Sequence, residues 1–138
     1  MLTELRAAFA FLTIVPLRWP DDVQPGRAFA WFPLVGLVIG GLLAGLAWLP
    51  LLADVRAFVV LLAWVIITGG LHLDGFGDSC DGLLATVPPE RRLAIMKDPQ
   101  AGSWAVIGLI LLLLGKWLLI GHLLRHPLLL VIVPVMGR

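Results

Sequence analysis

The chain has 138 residues, 60% of them hydrophobic and only 14% charged, and a mean hydropathy of +1.01, which lies outside soluble globular composition and reads as an integral membrane protein. A formal net charge of +1, from ten Lys and Arg against nine Asp and Glu, argues against an electrostatic nucleic-acid binder, since no basic run or aromatic-interleaved basic patch accompanies it. Cys80 is the single cysteine, which rules out an internal disulfide and a thiolate metal site and leaves it a small packing residue.

The N-terminal MLTELRAAFAFLTIVPLRWP carries Glu4 where a signal peptide is basic, and no small-x-small cleavage site precedes Asp21, so it is expected to be retained. Its apolar part, Ala7 to Leu17, contains Pro16 and is too short for ~30 Å of hydrocarbon, which predicts an interfacial or re-entrant helix. Ala28 to Leu49 is uncharged and long enough for a first span, with Trp31 and Trp48 as anchors at its two ends. Within it Gly36, Gly40, Gly41 and Gly45 give small-xxx-small faces that predict a close helix contact.

After a turn at Pro50 to Arg56, Ala57 to Leu73 is expected to form a second span, with Thr68 and His72 as its polar exceptions. Asp74 to Ala101 is polar and interrupted by Pro88, Pro89 and Pro99, which predicts two short helices near the membrane surface. Ser103 to Leu124 reads as a third span with Lys116 snorkelling toward its far end, and His122 and His126 read as loop residues. Pro127 to Met136 starts a fourth hydrophobic run too short to cross, re-entrant or the beginning of a longer segment. The expected fold is therefore all-α: a polytopic membrane helix bundle, 1–138 as one membrane-embedded domain, with about three complete spans. Arg6, Arg18, Arg27, Arg91, Arg92 and Lys97 fall on one side of such a bundle and Arg56 and Arg125 on the other, so the 74–101 loop is expected to face the cytoplasm.

Charged groups next to hydrocarbon are costly unless partnered, which directs attention to Asp74, Asp78 and Asp81. Their i, i+4, i+7 spacing puts them within about 60° of one another on a helix. Three carboxylates so close would raise one another's pKa unless a cation neutralises them. All-oxygen ligation suits Mg²⁺ or Mn²⁺ better than zinc. Mg²⁺ completes its shell with water and substrate phosphates, so the chemistry implied is phosphoryl transfer on a diphosphate or related substrate. Gly75, Gly77 and Gly82 interleave with the acids and are expected to clear room for a phosphate, with Gly75 and Gly82 as the phosphate-facing pair. His72 is a candidate to hydrogen-bond a ligand carboxylate, Lys97 to neutralise a diphosphate, and Asp98 to complete the metal shell or serve as general base. The plainer alternative is that the aspartates are helix caps and solvated surface, Asp74 above all.

HLDGFGDSCDGL followed by RRLAIMKDPQAGSWAV resembles the signature of the cobalamin synthase family, the adenosylcobinamide-GDP ribazoletransferases, and FAFLTIVPL with FPLVGLVIGGL is similar to that family's N-terminal region. The resemblance implies a Mg²⁺-dependent transfer of the adenosylcobinamide-phosphate moiety from adenosylcobinamide-GDP to α-ribazole or its 5′-phosphate, with release of GMP, at the bacterial inner membrane. It puts the acidic motif on Asp74, Asp78 and Asp81 and the Met-Lys-Asp motif on Met96, Lys97 and Asp98. Family members are longer, so the resemblance covers the N-terminal part of such a chain. Homo-oligomerisation is compatible with it. A CDP-alcohol phosphotransferase is the competing enzyme, because Asp78, Asp81, Gly82 and Ala85 match the first half of its D-x-x-D-G-x-x-A-R pattern, with Thr86 in place of the arginine. A cation transporter is a different class, but its acids belong at the bilayer midplane rather than at a boundary.

Overall fold

A computed structural model describes residues 1–20, 24–96 and 100–137. Among these residues the chain is helical, without strands: α1 (Leu2–Leu12), α2 (Pro25–Phe29), α3 (Phe32–Leu46), α4 (Ala53–Ile67), α5 (Leu71–Leu84), α6 (Pro89–Ile95), α7 (Ser103–Leu123) and α8 (Leu129–Met136). They group into two compact units, Met1–Gly69 with Trp117–Arg138, and Gly70–Lys116.

In the first unit α1 ends at Thr13, whose backbone is extended and whose hydroxyl donates to the Phe9 carbonyl at 2.7 Å, three residues ahead of Pro16. Glu4 ties this helix to the next ones. Its carboxylate takes the N-terminal ammonium at 3.0 Å, an indole N–H from Trp31 at 3.4 Å and Arg27 at 4.0 Å. The ammonium hydrogen bond is the main reason its carboxyl lies below the ordinary 4.5; desolvation opposes it, and the Trp31 N–H and the nearby positive charges add smaller lowering effects. Phe32 stacks on Phe11 and meets Phe29 edge-on, at 5.7 Å and 5.0 Å between ring centres. These geometries suit the ring quadrupole.

The first expected span, 28–49, is shorter as built. Chain turns at Ala30 and Trp31 separate α2 from α3, and Pro33 sits in the first turn of α3, where a missing N–H costs nothing but where it discourages the preceding residues from continuing a helix. Fifteen residues remain, about 22 Å of helix. Val35, Gly36, Ile39, Gly40, Leu43 and Ala44 form its buried face. The opposite face is equally apolar and open, with Leu37 48% and Leu42 54% exposed, which a water-facing helix would not tolerate.

Helix α8 lies on the buried face of α3 at backbone distance. A Cβ on Gly36 would stand 2.7 Å from the carbonyl oxygen of Pro134, and one on Gly40 2.5 Å from that of Val131. In lipid no hydrophobic gain separates helix contacts from lipid contacts, so close van der Waals approach of this kind is what holds helices together. The expected close contact therefore exists, on half of the stripe: Gly41 and Gly45 have open space around them.

The second expected span, 57–73, is also interrupted. Helix α4 begins earlier, at Ala53, and stops at Ile67. Thr68 turns its hydroxyl back onto the Trp64 carbonyl at 2.9 Å, and Gly69 and Gly70 then adopt φ of +61° and +68°, a conformation that only glycine enters freely. Ile14 seals this end by donating its N–H to the Ile67 carbonyl at 2.9 Å and by packing where a Gly69 side chain would be.

Helix α7 matches the third expected span. At 21 residues, about 31 Å, it is the one helix among the described residues long and apolar enough to cross a membrane. Its Leu111 and Leu119 are each 65% exposed. His122 falls in its last turn rather than in a loop, with Nδ1 2.9 Å from the Leu118 carbonyl oxygen.

Candidate active site

Gly70, left-handed, opens α5, and Leu71 to Leu84 continue as one helix until Ala85 turns extended. Asp74 lies in the first turn, where its charge complements the helix dipole. The N-cap is Gly70 and Asp74 is inside the helix, so the capping alternative for Asp74 is not what is seen. All three aspartates sit on the same continuous helix, as the spacing implied, but their surroundings differ: Asp74 is exposed, Asp78 half-buried and Asp81 only 7% exposed.

Asp81 is buried because α7 closes over it. Its Oδ2 accepts the Gly102 N–H at 2.6 Å and its Oδ1 the Ala105 N–H at 2.8 Å. A helix start leaves four N–H groups without partners inside the helix, and Asp81 supplies two acceptors from another helix. Around this pair the two helices meet through small residues. Gly77 faces Ala105 and Leu109, and Cys80 packs against Gly108, whose missing side chain leaves room for the sulfur. Cys80 is thus the packing residue it was expected to be.

The glycines of α5 divide. Gly75 has nothing within 4 Å of where a side chain would be, as a phosphate-facing position requires, whereas Gly82 lies under the Met96 side chain. Gly82 thus makes room for the contact with Met96 and with the Arg92 carbonyl of α6. His72 is exposed in the first turn of α5. Lys97 and Asp98 lie outside the described residues.

Among the described residues no three His, Cys, Asp or Glu side chains gather as a metal-holding group. Of the three aspartates expected to share a centre, Asp81 turns its carboxylate to the start of α7, and Asp74 lies about 10 Å from it along the helix axis. What remains is Asp74 and Asp78, one turn apart beside the open Gly75. Two hard carboxylate donors with room for a phosphate fit Mg²⁺, which commonly takes one or two carboxylates and completes its shell with water and substrate oxygens.

A cleft of about 350 Å³ opens beside Asp81, walled by Ile95, Gln100, Gly102, Ser103 and Trp104. Neither this cleft nor the engagement of Asp81 was foreseen from the sequence. No local pattern signals it, because Gly102-Ser103 already reads as an ordinary helix start.

The chain matches the cobalamin-5-phosphate synthase family over residues 4–138. It is 41% identical to the adenosylcobinamide-GDP ribazoletransferase of Prosthecochloris aestuarii over 91% of this chain and 52% of that protein. To the enzyme of the same name from Deinococcus radiodurans it is 46% identical, over 85% of this chain and 45% of the relative. A third, from Pseudomonas savastanoi pv. phaseolicola, is 44% identical over 95% and 57%. The chain spans about half the length of these curated relatives. No solved structure matches it. With the match running through the acidic helix and all of its neighbours, the chain belongs to the cobalamin-5-phosphate synthase family.

Proposed function

We propose that this protein acts in the assembly of the cobalamin nucleotide loop as an adenosylcobinamide-GDP ribazoletransferase. The observation that carries this reading is the family match from residue 4 to residue 138, together with relatives of that name at 41–46% identity. The substrates are adenosylcobinamide-GDP and α-ribazole or its 5′-phosphate. A hydroxyl oxygen of the ribazole attacks the phosphorus carried by adenosylcobinamide, the bond from that phosphorus to the bridging diphosphate oxygen breaks, and GMP leaves with that oxygen while the hydroxyl gives up its proton.

Asp74 and Asp78 would hold Mg²⁺, which when bound draws charge from the diphosphate oxygens and so stabilises both attack and departure. Gly75, with nothing within 4 Å of where a side chain would be, leaves room for a phosphate on this stretch of α5. Lys97 is assigned to the leaving phosphate and Asp98 to the proton of the attacking hydroxyl, on the strength of their place in the family motif. His72 is assigned to orienting Asp74 or Asp78. The protein is placed in the bacterial inner membrane as a multi-pass chain with the 74–101 segment facing the cytoplasm, supported by the apolar α7 and by the six-to-two distribution of basic residues named above.

The test is GMP release from adenosylcobinamide-GDP and α-ribazole by the lipid-reconstituted protein, with and without Mg²⁺. Release only with the metal and only with both substrates is the expected result. Release of CMP from a CDP-alcohol, or cation flux without GMP, would put the protein in another class.

A further inference from the structure

Resting on the ribazole-transfer reading, we infer that Asp81 is a positioning residue that fixes the start of α7, and that the acidic motif divides its labour between two open carboxylates and one structural one. Four observations converge. Asp81 is 7% exposed, and each of its oxygens already accepts a main-chain N–H at 2.6 and 2.8 Å. The two amides come from Gly102 and Ala105, so the carboxylate brackets Ser103 and Trp104, which line the adjoining 350 Å³ cleft. Gly102 has no room for a side chain, because a Cβ there would stand 2.6 Å from Oδ1 and 2.9 Å from Oδ2. Finally, the neighbouring residue Gly82 is covered by Met96, so the chain on both sides of Lys97 and Asp98 is fastened to consecutive residues of α5.

A carboxylate fits this place better than any neutral acceptor. Hydrogen bonds to an ionised group are roughly twice as strong as neutral ones, and the positive end of α7 favours the charge. The burial that would penalise a lone Asp is offset by amides rather than by a cation. Asp81 thereby acts on catalysis through the residues it holds, Gly102 and Ala105, and through Ser103 and Trp104 between them.

The test follows GMP release against Mg²⁺ concentration for wild type, Asp81→Asn and Gly102→Ala in lipid nanodiscs, with amide exchange at residues 101–106 measured in parallel. Asp81→Asn keeps the size of the side chain but one acceptor oxygen only, and Gly102→Ala attacks the same contact from its other partner. Both are expected to lower kcat by about tenfold or more while the half-saturating Mg²⁺ stays near the wild-type value, and to speed exchange at Gly102 and Ala105. Recovery of Asp81→Asn at high Mg²⁺, with its half-saturation moved by about tenfold, would make Asp81 a metal ligand and overturn the assignment. Unchanged exchange at the two amides would overturn it as well. Should wild type release no GMP, or release it without metal, the functional reading fails by itself, and the exchange arm still decides: faster exchange in Asp81→Asn upholds the anchor, equal exchange removes it.

Discussion

Glycines recur along both α3 and α5, and they serve opposite ends. On α3, Gly36 and Gly40 are filled by the backbone of α8, so nothing can be added to them. On α5, Gly77 and Gly82 are met by side chains of Ala105, Leu109 and Met96, while Gly75 has nothing within 4 Å of where a side chain would be. The same residue type at similar spacing therefore meets main chain in one helix, and side chains or open space in the other. Only the identity of the opposing atoms tells them apart.

The strongest test of this contrast is at the open end of α5. Asp78→Asn is expected to lower GMP release by about 10²-fold or more without loss of folded protein from the membrane, since Asp78 is half-buried and, among the described residues, makes no helix-to-helix hydrogen bond of the kind Asp81 makes. Full activity in that variant would remove α5 from the chemistry. Next in size, Gly36→Ala and Gly40→Ala should destabilise the first unit by about 1–3 kcal/mol each, because the obstacle is main chain that cannot swing away, whereas Gly41→Ala and Gly45→Ala should be neutral or slightly stabilising. Thermal unfolding in detergent of the four variants would check the split, and equal behaviour of all four would erase it.

Gly75→Ala sharpens the comparison further. Nothing in the structure opposes the methyl group, and helix propensity favours alanine by about 1 kcal/mol, so stability should rise or hold while GMP release falls if a phosphate passes this point. Unchanged release would show that the gap is incidental. The smallest effect belongs to Glu4. Its carboxyl lies below the ordinary 4.5, so its contribution to stability is fully present above that value and is lost as pH falls through the lower folded value. Wild type and Glu4→Gln should accordingly differ in thermal stability at neutral pH and converge in acid. A constant difference across that range would deny the carboxylate its role.

Much of this was legible in the chain itself. The i, i+4, i+7 spacing of the aspartates does describe one helical face, Ser103–Leu123 is the long apolar helix expected, and the glycine stripe does carry a helix contact. Composition could not show where the first two apolar runs break. Pro33 and the Gly69-Gly70 pair were visible, but hydropathy averages over them, and the left-handed turn depends on Ile14 arriving at the end of α4. Nor could spacing reveal which carboxylate is spoken for. Repulsion among three acids suggested a shared cation; what spacing does not show is that Asp81 accepts two amides some twenty residues downstream, a tertiary contact that no local pattern encodes.

The seam between α3 and α8 has an uneven genetic consequence. What Gly36 and Gly40 meet are main-chain atoms, carbonyl groups and Cα atoms that every amino acid possesses, so positions 131, 134 and 135 present the same surface to α3 whatever their side chains contribute elsewhere. Drift can rewrite one partner of this seam while leaving the other frozen, and a library randomised across both helices should return glycine at 36 and 40 beside a mixture at 131.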